Sequence, residues 1–153
     1  MPNLVQTLTL ADAKAMVDAG EAHAAQLAIP YSIAVVDKGG HLLHFSRQER
    51  CPTGCVELAI NKAFTAAMFA KSTDVLARLS QPSGELYGIQ QALGGRAVVF
   101  GGGSPVLAEG VVKGAVGASA GSVQQDIDVA MASISASPIG DLVPAGPDLT
   151  SKE

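Results

Sequence analysis

The chain has no tryptophan, and aromatic residues of every kind fill only 4% of its 153 positions. Platforms on which nucleic-acid bases stack are therefore not expected. Basic residues are also short: ten Lys and Arg against fourteen Asp and Glu give a formal net charge of −4, with no basic stripe to neutralise phosphates. Both counts argue against nucleic acid as a partner. No apolar run reaches the roughly 18 residues of a membrane span. The opening MPNLVQTLTLAD has neither the basic segment nor the apolar stretch of a secretion signal. No membrane partner is expected, and a cytoplasmic location keeps Cys51 and Cys55, the two cysteines, as thiols. Their C-P-T-G-C spacing is one residue longer than a thioredoxin-type motif. At a helix N-terminus the pair would lie close together, although structural thiols are the default reading. Histidine is scarce as well: His23, His41 and His44 are the only three, and no H-x-x-x-H or H-E-x-x-H pattern occurs. No preformed metal site is expected.

What is abundant is small and apolar. Hydrophobic residues make up 48% of the chain and charged residues 16%, with a mean hydropathy of +0.30. Such a chain hides apolar surface twice, in its core and against copies of itself, so a homo-oligomer is expected.

The densest signals lie between Arg96 and Gly121. Gly101, Gly102, Gly103 and Pro105 interrupt the apolar runs Ala97–Phe100 and Val111–Val116. This predicts strand, tight turn, short strand, a turn at Glu109-Gly110, and strand. The small residues from Gly114 to Gly121 imply another backbone, a subunit or a flat ligand lying close against them. Upstream, Ser32–Asp37 and His41–Arg47 flank Lys38-Gly39-Gly40 as a hairpin. A period of two puts His41, Leu43, Phe45 and Arg47 on one face and Leu42, His44 and Ser46 on the other.

Helices are expected at Ala11–Leu27 behind a Thr9 cap, with Gly20 counting against a straight helix, and at Val56–Lys71. A short one is expected from a Thr73 cap to Leu79, and a brief helical turn over Glu85–Leu93. The capping box Ser122–Gln125 opens the last, Val123–Ala136, with Ile127, Ala130, Met131 and Ile134 facing inward. Strands joined by short turns, with helices before, between and after them, define an α+β fold with a mostly antiparallel sheet. Residues 1–136 read as one domain and 137–153 as a Pro/Gly-rich tail.

The triple glycine lacks the Lys-Ser/Thr of a phosphate loop and reads as a turn whose N–H groups a ligand could use. Lys62 stands alone on an alanine-rich helix. It reads either as a snorkelling surface lysine or as a cation reaching Asp37 or an anionic ligand at the hairpin. His44 lies near Arg47, a pairing suited to anionic ligands.

Three separated stretches, AVVDKGGHLLHFSRQE, AINKAFTAAMFAKST and GGGSPVLAEGVVKGAVGASAGSVQQD, resemble the GlcG/HbpS family. These are small haem-binding or "haem-degrading" domains, also found at the C-terminus of some corrinoid adenosyltransferases. The resemblance implies a profilin-like fold, a five-stranded antiparallel sheet with helices packed on both faces, and a tetramer to octamer. It places the family's hairpin acid on Asp37, its Gly-His on Gly40-His41, and its helix motif on Lys62, Ala63, Thr65 and Ala66. The later threonine falls on Thr73, the glycine turn on Gly102, Gly103 and Pro105, and the final acid on Asp126. These line a cleft between the Lys62 helix and the Gly101–Pro105 turn, completed by a second subunit. The family commonly reads Arg-Met-Asp-Gly-Ala where this chain has Arg47-Gln48-Glu49-Arg50-Cys51, which puts a long cation, Arg50, in a glycine's place.

Two functions follow as expectations. The first is binding of haem or a related tetrapyrrole, with His23, His41 or His44 as the iron ligand. Arg47, Arg50, Thr65, Gly102, Gly103 and Pro105 line that ligand site with His41. The second is a catabolic isomerase, hydratase or lyase acting by proton transfer on a small organic acid. There Lys62 or Arg50 holds the carboxylate and His44 or Asp37 moves the proton. A third, an interaction module without chemistry, is compatible with the featureless Ala/Gly faces.

Overall fold

The structure is a computed structural model that describes residues 2–139. Helix α1 (Leu10–Leu27) opens on the expected Thr9 cap: Thr9 Oγ1 accepts from Asp12 N–H while the Asp12 carboxylate accepts from Thr9 N–H. Strands β1 (Ser32–Asp37) and β2 (Leu42–Arg47) form the hairpin. Helix α2 (Gly54–Phe69) and the short helix α3 (Thr73–Leu79) follow. The Glu85–Leu93 region contains a 3-10 turn at Ile89–Gln91, and a second, Leu93–Gly95, starts at its last residue. Strands β3 (Gly103–Ala108) and β4 (Val111–Ser119) then lead into helix α4 (Val123–Ser135). The Ser122 capping box is present as expected. Most of the 137–153 segment lies outside the described residues.

The sheet runs β2-β1-β4-β3, with every neighbouring pair antiparallel. It has four strands among the described residues, not five. The missing strand is Ala97–Phe100, which pairs with no other strand among the described residues. Its backbone is held by a side chain instead: Val98 N–H donates to Thr65 Oγ1 at 3.0 Å. A hydroxyl from α2 thus takes the place of a sheet ladder, and β3 is left as the sheet edge. An edge strand tolerates Pro105, whose missing N–H would break an interior ladder.

Helices cover both faces. Ile33, Val35, Val106 and Val116 pack with Met16 and Val17 of α1 and Val129 and Ile134 of α4. Ala34, Val36 and Ala115 on the other face pack against Ala59, Ala63, Ala66 and Ala67 of α2. The central strand β1 is therefore buried on both sides, which is why SIAVVD carries no polar alternation. Gly20, on the other hand, is needed in α1: a Cβ there would strike Ser133 Oγ of α4, so the glycine lets the two helices touch.

The expected alternation along β2 is broken by a bulge at Leu43: Val35 lies opposite His44, but Val36 lies opposite Leu42. Leu42, Phe45 and Arg47 consequently lie on the α2 face. Leu43, His44 and Ser46 lie on the α1 face, and Leu43 packs onto the α1/α4 core. On α4 the inward face also takes in Asp126, Val129 and Ser133, while Ile127 and Met131 are only half-buried. The cap of α3 is Ser72 rather than Thr73; the Thr73 hydroxyl instead accepts from Gly103 N–H at 2.9 Å.

Candidate functional site

Lys62 is completely buried, neither snorkelling nor directed at Asp37. It leaves α2 on one face of the sheet and passes the start of β3. Its amine donates to Asp126 Oδ2 of α4, on the other face, at 2.8 Å, and to Ala118 O at 3.0 Å. The glycine bend makes this passage: Gly102, at φ +120°, lies directly against the amine, and a Cβ there would also meet Ala118 O and Asp126. The Phe100 ring covers the amine, with its centroid 4.8 Å away. Burial pulls the Lys62 amine below its ordinary range, and the Asp126 charge opposes that shift.

Asp126 is fully satisfied. Its Oδ1 accepts from Tyr31 O–H at 2.8 Å and from the N–H groups of Ala120 and Gly121 at 3.2 and 3.0 Å. Burial and the neighbouring carboxylate push the Tyr31 phenol well above its ordinary value. Sequence reasoning missed this Lys62–Asp126–Tyr31 cluster as a unit. One signal was available: Asp126 lies on the same 3–4 spacing as Ala130, Ser133 and Ile134, an acid on the inward stripe of an amphipathic helix.

The expected cleft between α2 and the Gly101–Pro105 turn is closed. A Cβ on Gly103 would run into the Lys62 carbonyl, and one on Gly101 into Ile127 and Val123 of α4. Thr65, Gly102, Gly103 and Pro105 are all buried in this packing. Thr65 Oγ1 donates to Asn61 O at 2.6 Å and accepts from Val98 N–H. A hollow of about 10 Å3 lies beside the turn on its α4 side, lined by Ser72, Gly102, Gly103, Ser104, Ile127 and Met131. That is room for about one water molecule, not for a macrocycle.

Asp37 and His41 form a second cluster at the hairpin turn. Asp37 Oδ1 accepts from the N–H groups of Gly39 and His41 at 2.8 and 3.0 Å, and lies 3.2 Å from His41 Nδ1. The carboxylate thereby fixes the ring, whose side chain is 82% exposed, and leaves Nε2 free. The turn rests on α2, where Gly40 (φ +82°) contacts Phe64 and Met68. Leu42 and Met68 are exposed at 48% and 37%. The Arg96 guanidinium stacks on Phe64, 3.6 Å from the ring centroid. An oriented imidazole, an apolar shelf and a cation share this end of the molecule.

The remaining candidates lie elsewhere. Arg47 and Arg50 sit at the opposite end of β2, about 20 Å along the strand from the turn. Arg47 Nε donates to Cys51 O at 3.2 Å, and exposed Arg50 occupies a left-handed φ of +70°. That backbone conformation is the physical reason a glycine suits the position. His44 faces the α1 layer, and His23 is half-buried on α1. Asp37 pairs with Gly114 and the Lys62 amine bonds to Ala118 O, four residues along β4, a separation of about 13 Å. His44, Lys62 and Asp37 therefore do not share one catalytic site within a chain.

Together these features define a small antiparallel α+β domain, clamped at one end by a buried ion pair and presenting a carboxylate-oriented histidine at the other. The chain belongs to the haem-degrading HbpS-like family, which it matches over residues 8–135. It is 41% identical over 122 residues to an uncharacterized 15.0 kDa protein of the dhaT-dhaS intergenic region in Citrobacter freundii, covering 80% of this chain and 86% of that one. It is 35% identical over 133 residues to the corrinoid adenosyltransferase PduO of Salmonella typhimurium, covering 87% of this chain but only 40% of PduO. Among solved structures, a PduOC:haem complex superposes with a TM-score of 0.83 at 34% identity, covering 88% of this chain and 97% of the other. No helix among the described residues is long and apolar enough to cross a membrane.

Proposed function

We propose that this chain is a haem- or tetrapyrrole-binding protein that holds its ligand at the hairpin end rather than in the closed α2–glycine turn contact. Membership of the HbpS-like family and likeness to a PduOC:haem complex support the ligand class. Within the chain, the observation that carries the reading is the Asp37–His41 pair. A histidine that ligates a metal through one nitrogen characteristically donates through the other to a carboxylate, and His41 is so arranged, with Nε2 exposed. The residues fit the group as one wall: His41 for the iron, Leu42, Phe64 and Met68 for the apolar macrocycle, and Arg96 for a propionate. When bound, haem supplies an iron centre and its redox and ligand-exchange chemistry. The protein's part is to orient the imidazole and shield one side of the ring. The opposite wall comes from a second copy in a homo-oligomer of four to eight chains, consistent with the high apolar content. The proposed location is the cytoplasm.

Titration with hemin tests this. The expected result is a saturable Soret band that is lost or shifted in His41→Ala and kept in His44→Ala and His23→Ala. Asp37→Asn should weaken binding by about 10- to 100-fold. A wild-type titration that never saturates overturns the ligand class; an unchanged band in His41→Ala overturns the ligating residue. Sedimentation of the same samples should give a multiple of the 15.5 kDa chain.

A further inference from the structure

Strand β2 is one edge of the sheet. Gln48 N–H donates to Tyr31 O at 2.9 Å just beyond one end of it, and Asp37 N–H to His41 O at 2.8 Å just beyond the other. These two bonds fix the alternation between them. Ser46 and His44 turn their backbone groups toward β1, while Arg47, Phe45 and Leu42 turn theirs away. Among the described residues nothing takes those outward groups. The other edge differs: at the start of β3 the Gly103 N–H is taken by Thr73, and Pro105 has none to offer. β2 contains neither proline nor lysine, residues that commonly blunt an edge.

The outward residues of β2 also match one another. Because of the bulge at Leu43, Leu42 lies as far before Phe45 as Arg47 lies after it: Val36 to Ala34 spans the first interval and Ala34 to Ser32 the second. A second copy laid antiparallel on this edge, about a two-fold axis at Phe45, therefore sets Phe45 opposite Phe45 of the partner subunit. Leu42 then faces the partner subunit's Arg47. All of these lie on the α2 face, and the two-fold keeps that face on one side of the joined sheet. On the α1 face the same register sets His44 opposite the partner subunit's Ser46. In each chain the Ser46 hydroxyl donates to the Glu21 carboxylate, so an imidazole meets an acid there.

We propose that two copies pair through this edge, and that the partner subunit's Arg47 completes the hairpin-end site by holding a second ligand carboxylate. The role of Arg47 rests on the haem reading above; the pairing itself does not. Haem carries two propionates, and Arg96 answers only one. Within a chain Arg47 lies about 20 Å along the strand from the hairpin turn. Across the pairing it stands beside Leu42, one residue from His41. Its Nε is held by Cys51 O at 3.2 Å, which leaves both terminal nitrogens for a carboxylate.

Hydrogen exchange of the wild-type full chain without haem, resolved to single amides, tests the pairing. The Phe45 and Arg47 amides should exchange as slowly as those of His44 and Ser46, although they face away from β1. Exchange at free-amide rates would overturn the pairing, and this measurement needs no variant to fold. The register is tested by Leu42→Cys with Arg47→Cys in one chain that also carries Cys51→Ala and Cys55→Ala. The two positions are about 15 Å apart within a chain but adjacent across the pair, so mild oxidation should give covalent dimers. Covalent dimers from either substitution alone, or none from the two together, would overturn the register. Hemin titration then tests Arg47. Arg47→Gln should weaken hemin binding by about 10-fold and leave binding of hemin dimethyl ester, whose carboxylates are masked, unchanged. Equal hemin affinity in the two proteins overturns the role of Arg47. A wild type that takes up no hemin overturns the haem reading and that role together, while hydrogen exchange decides the pairing by itself.

Discussion

Asp126 collects four hydrogen bonds from three separate parts of the chain: Lys62 on α2, Tyr31 ahead of β1, and the amides of Ala120 and Gly121 where β4 turns into α4. No donor in this set is spare, so removing one leaves a buried acceptor short. Tyr31→Phe should cost about 1–2 kcal/mol at neutral pH, read by urea unfolding. The pH dependence has a definite sign. The folded phenol is held neutral above its ordinary value of about 10, so the stability this provides is complete below pH 10. It is lost as pH rises further, because the unfolded tyrosine ionises first. The Lys62 amine, shifted the other way, contributes with opposite slope but is present in both proteins. The gap between wild type and Tyr31→Phe should therefore narrow above about pH 10. A gap that stays constant through that range would mean that Tyr31 is not buried against Asp126.

At the scale of elements, the contact that sets the fold is α2 lying directly on β4. A Cβ on Gly117 would run into the Ala59 carbonyl of α2 and approach Ala63 N, and Ala59, Ala63 and Ala66 supply the facing small side chains. The small-residue run after Gly114 was legible as a place of close backbone approach. The occupant is the chain's own second helix, neither a flat ligand nor a subunit. The hydrophobic pattern cannot distinguish these, because each leaves the same demand for small side chains. Gly117→Ala should destabilise by about 3 kcal/mol, since backbone rather than a flexible side chain must give way. Gly54→Ala at the start of the same helix meets nothing within 4 Å. It should stabilise by about 0.5 kcal/mol by restricting the unfolded chain. The two thermal unfolding curves should shift in opposite directions; a neutral Gly117→Ala would show that α2 does not sit so close.

Across the whole molecule, Lys62 joins the α2 layer to the α1/α4 layer around the end of the sheet. Lys62→Met leaves the Asp126 carboxylate buried without its counter-charge and should cost about 3–5 kcal/mol. Both layers should be lost in one urea transition, because the ion pair belongs to both. Two separate transitions in the variant would show that the layers fold independently. The same clamp accounts for the absence of a cleft between α2 and the glycine turn: the space is filled by a lysine stem, three glycine backbones and the ring of Phe100. A ligand is left with surfaces such as the hairpin end, where one wall is open.

The order of strands and helices, the two helix caps at Thr9 and Ser122, and the family were determined by the sequence itself. Each rests on local backbone preference or on motifs read along the chain. Local preference failed where a distant group supplied the bond or an extra residue broke the period. Thr65 satisfies Val98 in place of a fifth strand, Thr73 serves Gly103 instead of its own helix, and the Leu43 bulge moves its side chain to the other face. Only the tertiary structure decided which groups meet: that Lys62 turns inward to Asp126 rather than outward to Asp37, and that among the described residues His41 is the histidine held by a carboxylate. The cause is the same in each case. Burial makes a charge find its partner across the fold, and the period of a strand or helix records which way a residue faces but not what waits on that side.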